Sequence, residues 1–270
     1  LIIFPVETST SYDFYLSYRI ELMYSGQSKI FDEIYYIDAH RGQIIQQFSN
    51  FKDDVYGYID IEYWPENTYD MIATSVYKSG QIRIDDEHLG STNSNGYYDV
   101  WQYSGSGYCT LEPLFSGNFV RLQNYYPMYH GVMINAMNYS IFEASDETNV
   151  YYHVNRIHDY FSDPPFNDWG MDYQMNAYLN QGPDVNGGAN GTDIRFGWQS
   201  GYTWARSSDV IYHEFSHNLI YHLYDLQWIG SPYYYYIEAS AMDEGLADYF
   251  AVSLNGNPIQ GECVHVNRNL

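Results

Sequence analysis

The chain is expected to be an α+β protein. Period-two apolar alternation fills its first 125 residues, turns rich in Gly separate the short runs, and helical spacing begins only after Pro127. Tyr18-Arg19-Ile20-Glu21-Leu22, Ile34-Tyr35-Tyr36-Ile37-Asp38 and Gln43-Ile44-Ile45-Gln46-Gln47-Phe48 alternate as antiparallel strands do. The intervening Asp38-Ala39-His40-Arg41-Gly42-Gln43 supplies a Gly for a tight turn, so 34–38 and 43–48 should pair as a hairpin. Residues 1–52 are expected to form one β unit, ending at a linker near Asn50–Asp54.

Residues 55–125 read as a small β-sandwich-like unit, with runs such as Gln81-Ile82-Arg83-Ile84 punctuated by glycines. Asn95-Gly96 within Ser91–Tyr98 is an ordinary hairpin turn. Residues 128–270 form the third expected unit, with helical spacing around 150–161, 208–224 and 239–254.

Eleven Lys plus Arg against 34 Asp plus Glu leave a net charge of −23, which repels phosphate backbones and anionic headgroups. Neither nucleic acid nor membrane is an expected partner, and no apolar run reaches the roughly 18 to 20 residues that cross a bilayer. The 33 tyrosines suit strands and half-polar surfaces. Cys109 and Cys263 form no C-x-x-C pair; a bridge between them and two free thiols are both open.

The chemistry concentrates late in the chain. His213-Glu214-Phe215-Ser216-His217 matches H-E-x-x-H behind the helix-start signal Ser207-Ser208-Asp209. Residues four apart share a helix face, so both imidazoles can reach one metal ion while Glu214 flanks the open position. Twenty-seven residues beyond His217, Glu244 offers a third ligand, and Asp248, four residues on, can accept the free N–H of a liganding imidazole. The bland alternative is two amphipathic helices with solvated polar faces, which accounts poorly for both spacings at once.

This constellation resembles the thermolysin-like and fungalysin-like zinc metallopeptidases. The likeness extends over Tyr235-Tyr236-Ile237-Glu238-Ala239-Ser240-Ala241-Met242-Asp243-Glu244, which implies an oxyanion-stabilising role for Tyr235 and places Asp243 where thermolysin has Asn. Asn176-Ala177-Tyr178-Leu179-Asn180 is similar to the family's edge-strand motif, implying that the Asn176 side chain and the Ala177 carbonyl bind substrate backbone. Asp193-Ile194-Arg195-Phe196-Gly197 resembles the next strand and Tyr151–Arg156 the preceding helix, for a match over roughly residues 130 to 255. The spacer between His217 and Glu244 is nearer to that of fungalysins. The family's C-terminal lobe, with its catalytic His and an Arg, is expected to lie beyond this chain, since His265 stands too close to Glu244 for that role.

What the resemblance implies is a secreted zinc-dependent endopeptidase acting on polypeptides. One zinc ion is held by His213, His217 and Glu244, Glu214 is the general base, and Asp243 and Asp248 orient the imidazoles. Residues 1–52, through Tyr35–Ile45, look like the end of a propeptide, an expected inhibitor of the enzyme. The resemblance also makes Asp209 a calcium ligand, although an Asp there equally caps a helix. Asp184, Asn186, Asn190 and Asp193 offer oxygen ligands for calcium or form a plain turn cluster. Two rivals stand beside this reading. One is a catalytically incomplete zinc-binding secreted protein whose β domain binds carbohydrate or protein; the other is an aminopeptidase, for which no acidic exopeptidase motif is found upstream of His213.

Overall fold

The computed structural model describes residues 2–7, 12–25, 30–49, 53–103, 107–166, 171–183, 186–199, 201–223, 237–261 and 268–269. By internal packing the chain divides into two compact units, Leu1–Asp53 with Trp101–Ser104, and Asp54–Val100 with Gly105–Leu270. Among the described residues, antiparallel and mixed sheets and three α-helices make the architecture α+β.

The first unit is a four-stranded antiparallel meander of β1 (Ile2–Glu7), β2 (Tyr12–Ser25), β3 (Ile30–Asp38) and β4 (Ile44–Ser49). The expected hairpin is present, with Ile37 opposite Ile44 and a register shift at Tyr36/Ile37. Gly42 sits at φ +67°, where a side chain would be strained. The Asp38 carboxylate accepts the N–H groups of His40 at 2.7 Å and Arg41 at 3.2 Å, closing the turn.

The second unit opens with β5 (Asp53–Tyr63), β6 (Ala73–Val76), β7 (Gln81–Ile84), β8 (His88–Ser91), β9 (Tyr97–Tyr103), β10 (Tyr108–Pro113), β11 (Val120–Gln123), β12 (His130–Met133) and β13 (Met137–Phe142). One sheet runs β12-β10-β7-β8; another runs β13-β5-β6, with β9 also paired to β5. Alternation gives each sheet one buried apolar face, carrying Ile82, Ile84, Leu111 and Val132 on the first and Val55, Ile59, Ile61 and Phe142 on the second. Cys109 is a buried free thiol, its pKa pushed up to about 11 by burial. Its expected alternative partner, Cys263, lies outside the described residues.

Next come α1 (Asp146–Ser162), β14 (Met175–Tyr178), β15 (Gly187–Ala189), β16 (Asp193–Phe196), the hairpin β17 (Trp198–Gln199) and β18 (Tyr202–Thr203), then α2 (Ser208–Leu223), α3 (Ile237–Asn255) and the hairpin β19 (Ile259–Gln260) and β20 (Arg268–Asn269). Ser145 caps α1 through a capping box with Thr148. The third large sheet runs β11-β14-β16-β15, parallel across its first three strands and antiparallel at β15. Because β11 belongs to this sheet, strand pairing runs across the boundary expected near residues 125–128.

α1 and α2 pack on one another, α1 also against β11 and α2 against β15 and β16, with α3 on α2. Val154, Ile157 and Phe161 of α1, Phe215 and Leu219 of α2, and Ala247 and Phe250 of α3 are buried. Phe161 stacks on Phe215 at 6.3 Å and meets Phe250 edge-on at 5.1 Å. Two buried polar residues of α1 brace this core. Asn149 donates to the Ala205 carbonyl at 2.8 Å and accepts the Trp64 N–H at 3.1 Å. His153 lies 2.6 Å from the Tyr212 hydroxyl through Nδ1 and 2.8 Å from the Trp64 carbonyl through Nε2. A carbonyl can only accept, so Nε2 carries the proton and Nδ1 accepts from Tyr212. The residue before His213 is thereby fixed from behind.

Candidate metal centre

Ser207, Ser208 and Asp209 open α2 as their sequence suggests. The buried Asp209 carboxylate accepts the Val210 N–H at 2.8 Å, the Gly261 N–H at 2.6 Å and the Ser207 hydroxyl. Both oxygens therefore serve protein donors in a helix-start tie, with burial pushing the pKa up.

From this start the helical repeat puts His213 and His217 on one face. Their Nε2 atoms lie 3.0 Å apart and their rings are nearly perpendicular, at 89°. Behind each ring stands a carboxylate of α3: Asp248 Oδ1 is 2.8 Å from His213 Nδ1, and Asp243 Oδ1 is 3.0 Å from His217 Nδ1. With each Nδ1 turned to a carboxylate at ion-pair distance, the two Nε2 atoms are the nitrogens that face each other. Glu244 completes the set, with Oε2 3.5 Å from His213 Nε2 and Oε1 3.8 Å from His217 Nε2. One ligand atom from each of the three residues lies within 4.8 Å of the others, and no other such group of His, Cys, Asp or Glu occurs among the described residues.

Two lone pairs 3.0 Å apart repel unless a cation or a proton lies between them. Burial alone would lower the pKa of His213, but the bond to Asp248, then Glu244 and the charge of Glu214, outweigh it and push the imidazole up to about 9. The surroundings are thus built for positive charge. Two nitrogens bound to one tetrahedral zinc at about 2.0–2.1 Å stand roughly 3.3 Å apart, so an opening of a few tenths of an ångström admits the ion. Nitrogen, nitrogen and carboxylate oxygen form a donor set that zinc favours. Glu244 is half exposed, so the cluster opens toward solvent.

Glu214 is buried on the same helix and lies against the backbone of Gly187. A Cβ at Gly187 would come within 2.3 Å of Glu214 Oε1, so only glycine leaves this carboxylate its position. Gly187 begins β15, the edge of the sheet on the α2 side. Sequence reasoning missed Gly187; the Gly187-Gly188 pair was its only trace. It also missed the buried Asn218, one residue past His217, which accepts the Gly191 N–H at 2.6 Å and donates to the Asp193 carbonyl at 3.2 Å. That residue ties α2 to the loop between β15 and β16.

The expected substrate-binding pair is placed differently. Asn176 and Ala177 lie on β14, which is paired to β11 on one side and β16 on the other, so they do not form a free edge. Ala177 is fully buried, and the Asn176 side chain is held between Gln123 Nε2 at 3.2 Å and Asp193 Oδ1 at 3.0 Å. The parallel pairing to β11, from a distant stretch of sequence, takes the side that the resemblance left open. In the loop expected to offer calcium ligands, Asn190 Oδ1 accepts the N–H groups of Thr192 at 3.0 Å and Asp193 at 2.7 Å. Asn186 is exposed, and its carbonyl accepts the Gly197 N–H at 3.0 Å. Asp184 and Tyr235 lie outside the described residues.

No protein-family model matches the chain, and no curated protein matches it. The functional reading therefore rests on the site's own geometry.

Proposed function

We propose that this chain carries the zinc site of an endopeptidase of the thermolysin-like and fungalysin-like kind. The observation that supports it best is the convergence of His213, His217 and Glu244 within 4.8 Å, with a carboxylate behind each imidazole. Bound there, zinc would supply Lewis acidity and make water acidic near neutral pH.

The remaining work falls to the chain's own groups. Glu214, seated against Gly187, would take the proton of the attacking water and return it to the leaving amine. Asp248 and Asp243 keep both rings in the tautomer that offers Nε2 to the metal. Among the described residues β15 stands at one end of its sheet, so an extended peptide could add beside it, with its scissile bond near Glu214. Tyr235 keeps its oxyanion role by resemblance alone.

Zinc titration followed by cleavage of an internally quenched peptide blocked at both ends tests this reading. The blocked ends exclude an aminopeptidase. The parent chain should bind about one zinc per molecule, and Glu214→Gln should keep that zinc while turnover drops roughly 10²- to 10⁴-fold. Measurable turnover that is equal in the two proteins would remove Glu214 from the mechanism.

A further inference from the structure

The outward face of the β13-β5-β6 sheet, with β9 alongside, carries tyrosines and carboxylates together. Strand register places Tyr139 beside Tyr58 and Ile141 beside Asp60, with Val76 on the far side of Asp60. Tyr58 meets Tyr97 of β9 edge-on at 5.3 Å. Exposure is 60% at Tyr139, 40% at Tyr58 and 60% at Met137, while the alternate residues Ile59, Ile61 and Phe142 are buried in the core.

Its charge has one sign. Asp60, Glu62 and Asp99 alternate onto this face, and the four strands contain no Lys or Arg. The Tyr139 hydroxyl donates to Asp60, and the Tyr97 hydroxyl donates to Asp99 at 3.4 Å, so each carboxylate lies beside a ring. A ring face attracts a cation, an adjacent carboxylate pairs with it, and a net charge of −23 steers cations inward over a longer range. The flat face is matched in form by an extended chain whose alternate side chains point one way.

We infer that this Tyr/Asp sheet face is a docking surface for a cationic, arginine-rich polypeptide segment. Guanidinium groups would stack on Tyr58 and Tyr139 and pair with Asp60 and Glu62. None of these residues belongs to the metal centre, and the inference holds whether or not that centre is catalytic.

Binding of a D-arginine nonamer, which resists proteolysis, to the whole chain tests this by calorimetry at two salt concentrations. The peptide should bind, more weakly at high salt, and Tyr58→Ala with Tyr139→Ala should weaken it roughly tenfold. Asp60→Asn with Glu62→Gln should weaken it comparably and removes almost no side-chain volume, so that pair decides if the tyrosine variant misfolds. Asp86→Asn with Glu87→Gln, an equal loss of charge in the turn between β7 and β8, should leave affinity within about twofold. The inference is overturned if the turn variant loses as much as the face variants, since general charge then explains binding. It is also overturned if a neutral oligosaccharide binds in the peptide's place, or if the face variants abolish self-association instead.

Discussion

Two polar clusters lie beside α2, and they differ in where their lone pairs go. In the loop between β15 and β16, Asn190 Oδ1 accepts two backbone N–H groups, and the Asp193 carboxylate accepts from Asn176 at 3.0 Å and from Asn190 at 3.4 Å. Those oxygens shape a turn. Between α2 and α3, Asp248 and Asp243 lie at 2.8 Å and 3.0 Å behind two imidazoles, and the fronts of the rings converge with Glu244 on one point. Acidic or amide-rich composition therefore does not make a cation site; ligand atoms converging on a common centre do.

The comparison predicts opposite responses to metal. Glu244→Ala should lower zinc affinity by at least about two orders of magnitude, because a two-histidine site lacks the third protein ligand. Asp193→Asn should leave zinc affinity within about twofold, and millimolar calcium should leave the melting temperature of the parent unchanged. Zinc competition with a chromophoric chelator and calorimetric melting measure both. A calcium-dependent rise in melting temperature that Asp193→Asn abolishes would turn the loop into a second cation site.

A smaller effect separates the two layers of the metal centre. Asp248→Asn and Asp243→Asn each keep the shape of the side chain but remove the charge that fixes an imidazole tautomer. Each should weaken zinc about 10- to 100-fold, with the protein still folded. If neither changes affinity by more than twofold, the α3 carboxylates are merely neighbours of the rings.

Much of this site was legible because its logic is local. A four-residue spacing places His213 and His217 on one face whatever surrounds the helix, and the same spacing pairs Glu244 with Asp248. The hairpin at Asp38–Gln43 was legible for a similar reason, since its turn is closed by its own Asp and Gly. The edge of the third sheet was not. Whether β14 is an edge depends on β11, more than fifty residues upstream, pairing with it, and no period within either strand encodes that partner. The fit of Gly187 against Glu214 is hidden likewise, because it arises between two elements that only the fold brings together.

His153, an imidazole on a helix that is satisfied by protein partners rather than aimed at a metal, supplies the last contrast. His213 faces carboxylates and is raised, whereas His153 is buried among the rings of Tyr63, Tyr152 and Tyr212. Burial pushes it down to about 3, only partly opposed by its bond to the Trp64 carbonyl, with Arg156 lowering it further. In the unfolded chain this imidazole titrates near its ordinary value of about 6.5. Above that pH it is neutral in both states and favours neither. As pH falls from about 6.5 toward 3, the unfolded state takes up a proton that the folded state refuses, so stability is lost at up to about 1.4 kcal/mol per pH unit. By pH 4 this amounts to about 3 kcal/mol. Urea unfolding of the zinc-free protein across this range should show the loss. His153→Gln can still accept from Tyr212 and donate to Trp64 but does not titrate, so its stability should fall less steeply by about that slope. Parallel pH profiles for the two proteins would mean that His153 is hydrated or charged in the native state, and that the brace behind His213 is looser than its 2.6 Å and 2.8 Å contacts describe.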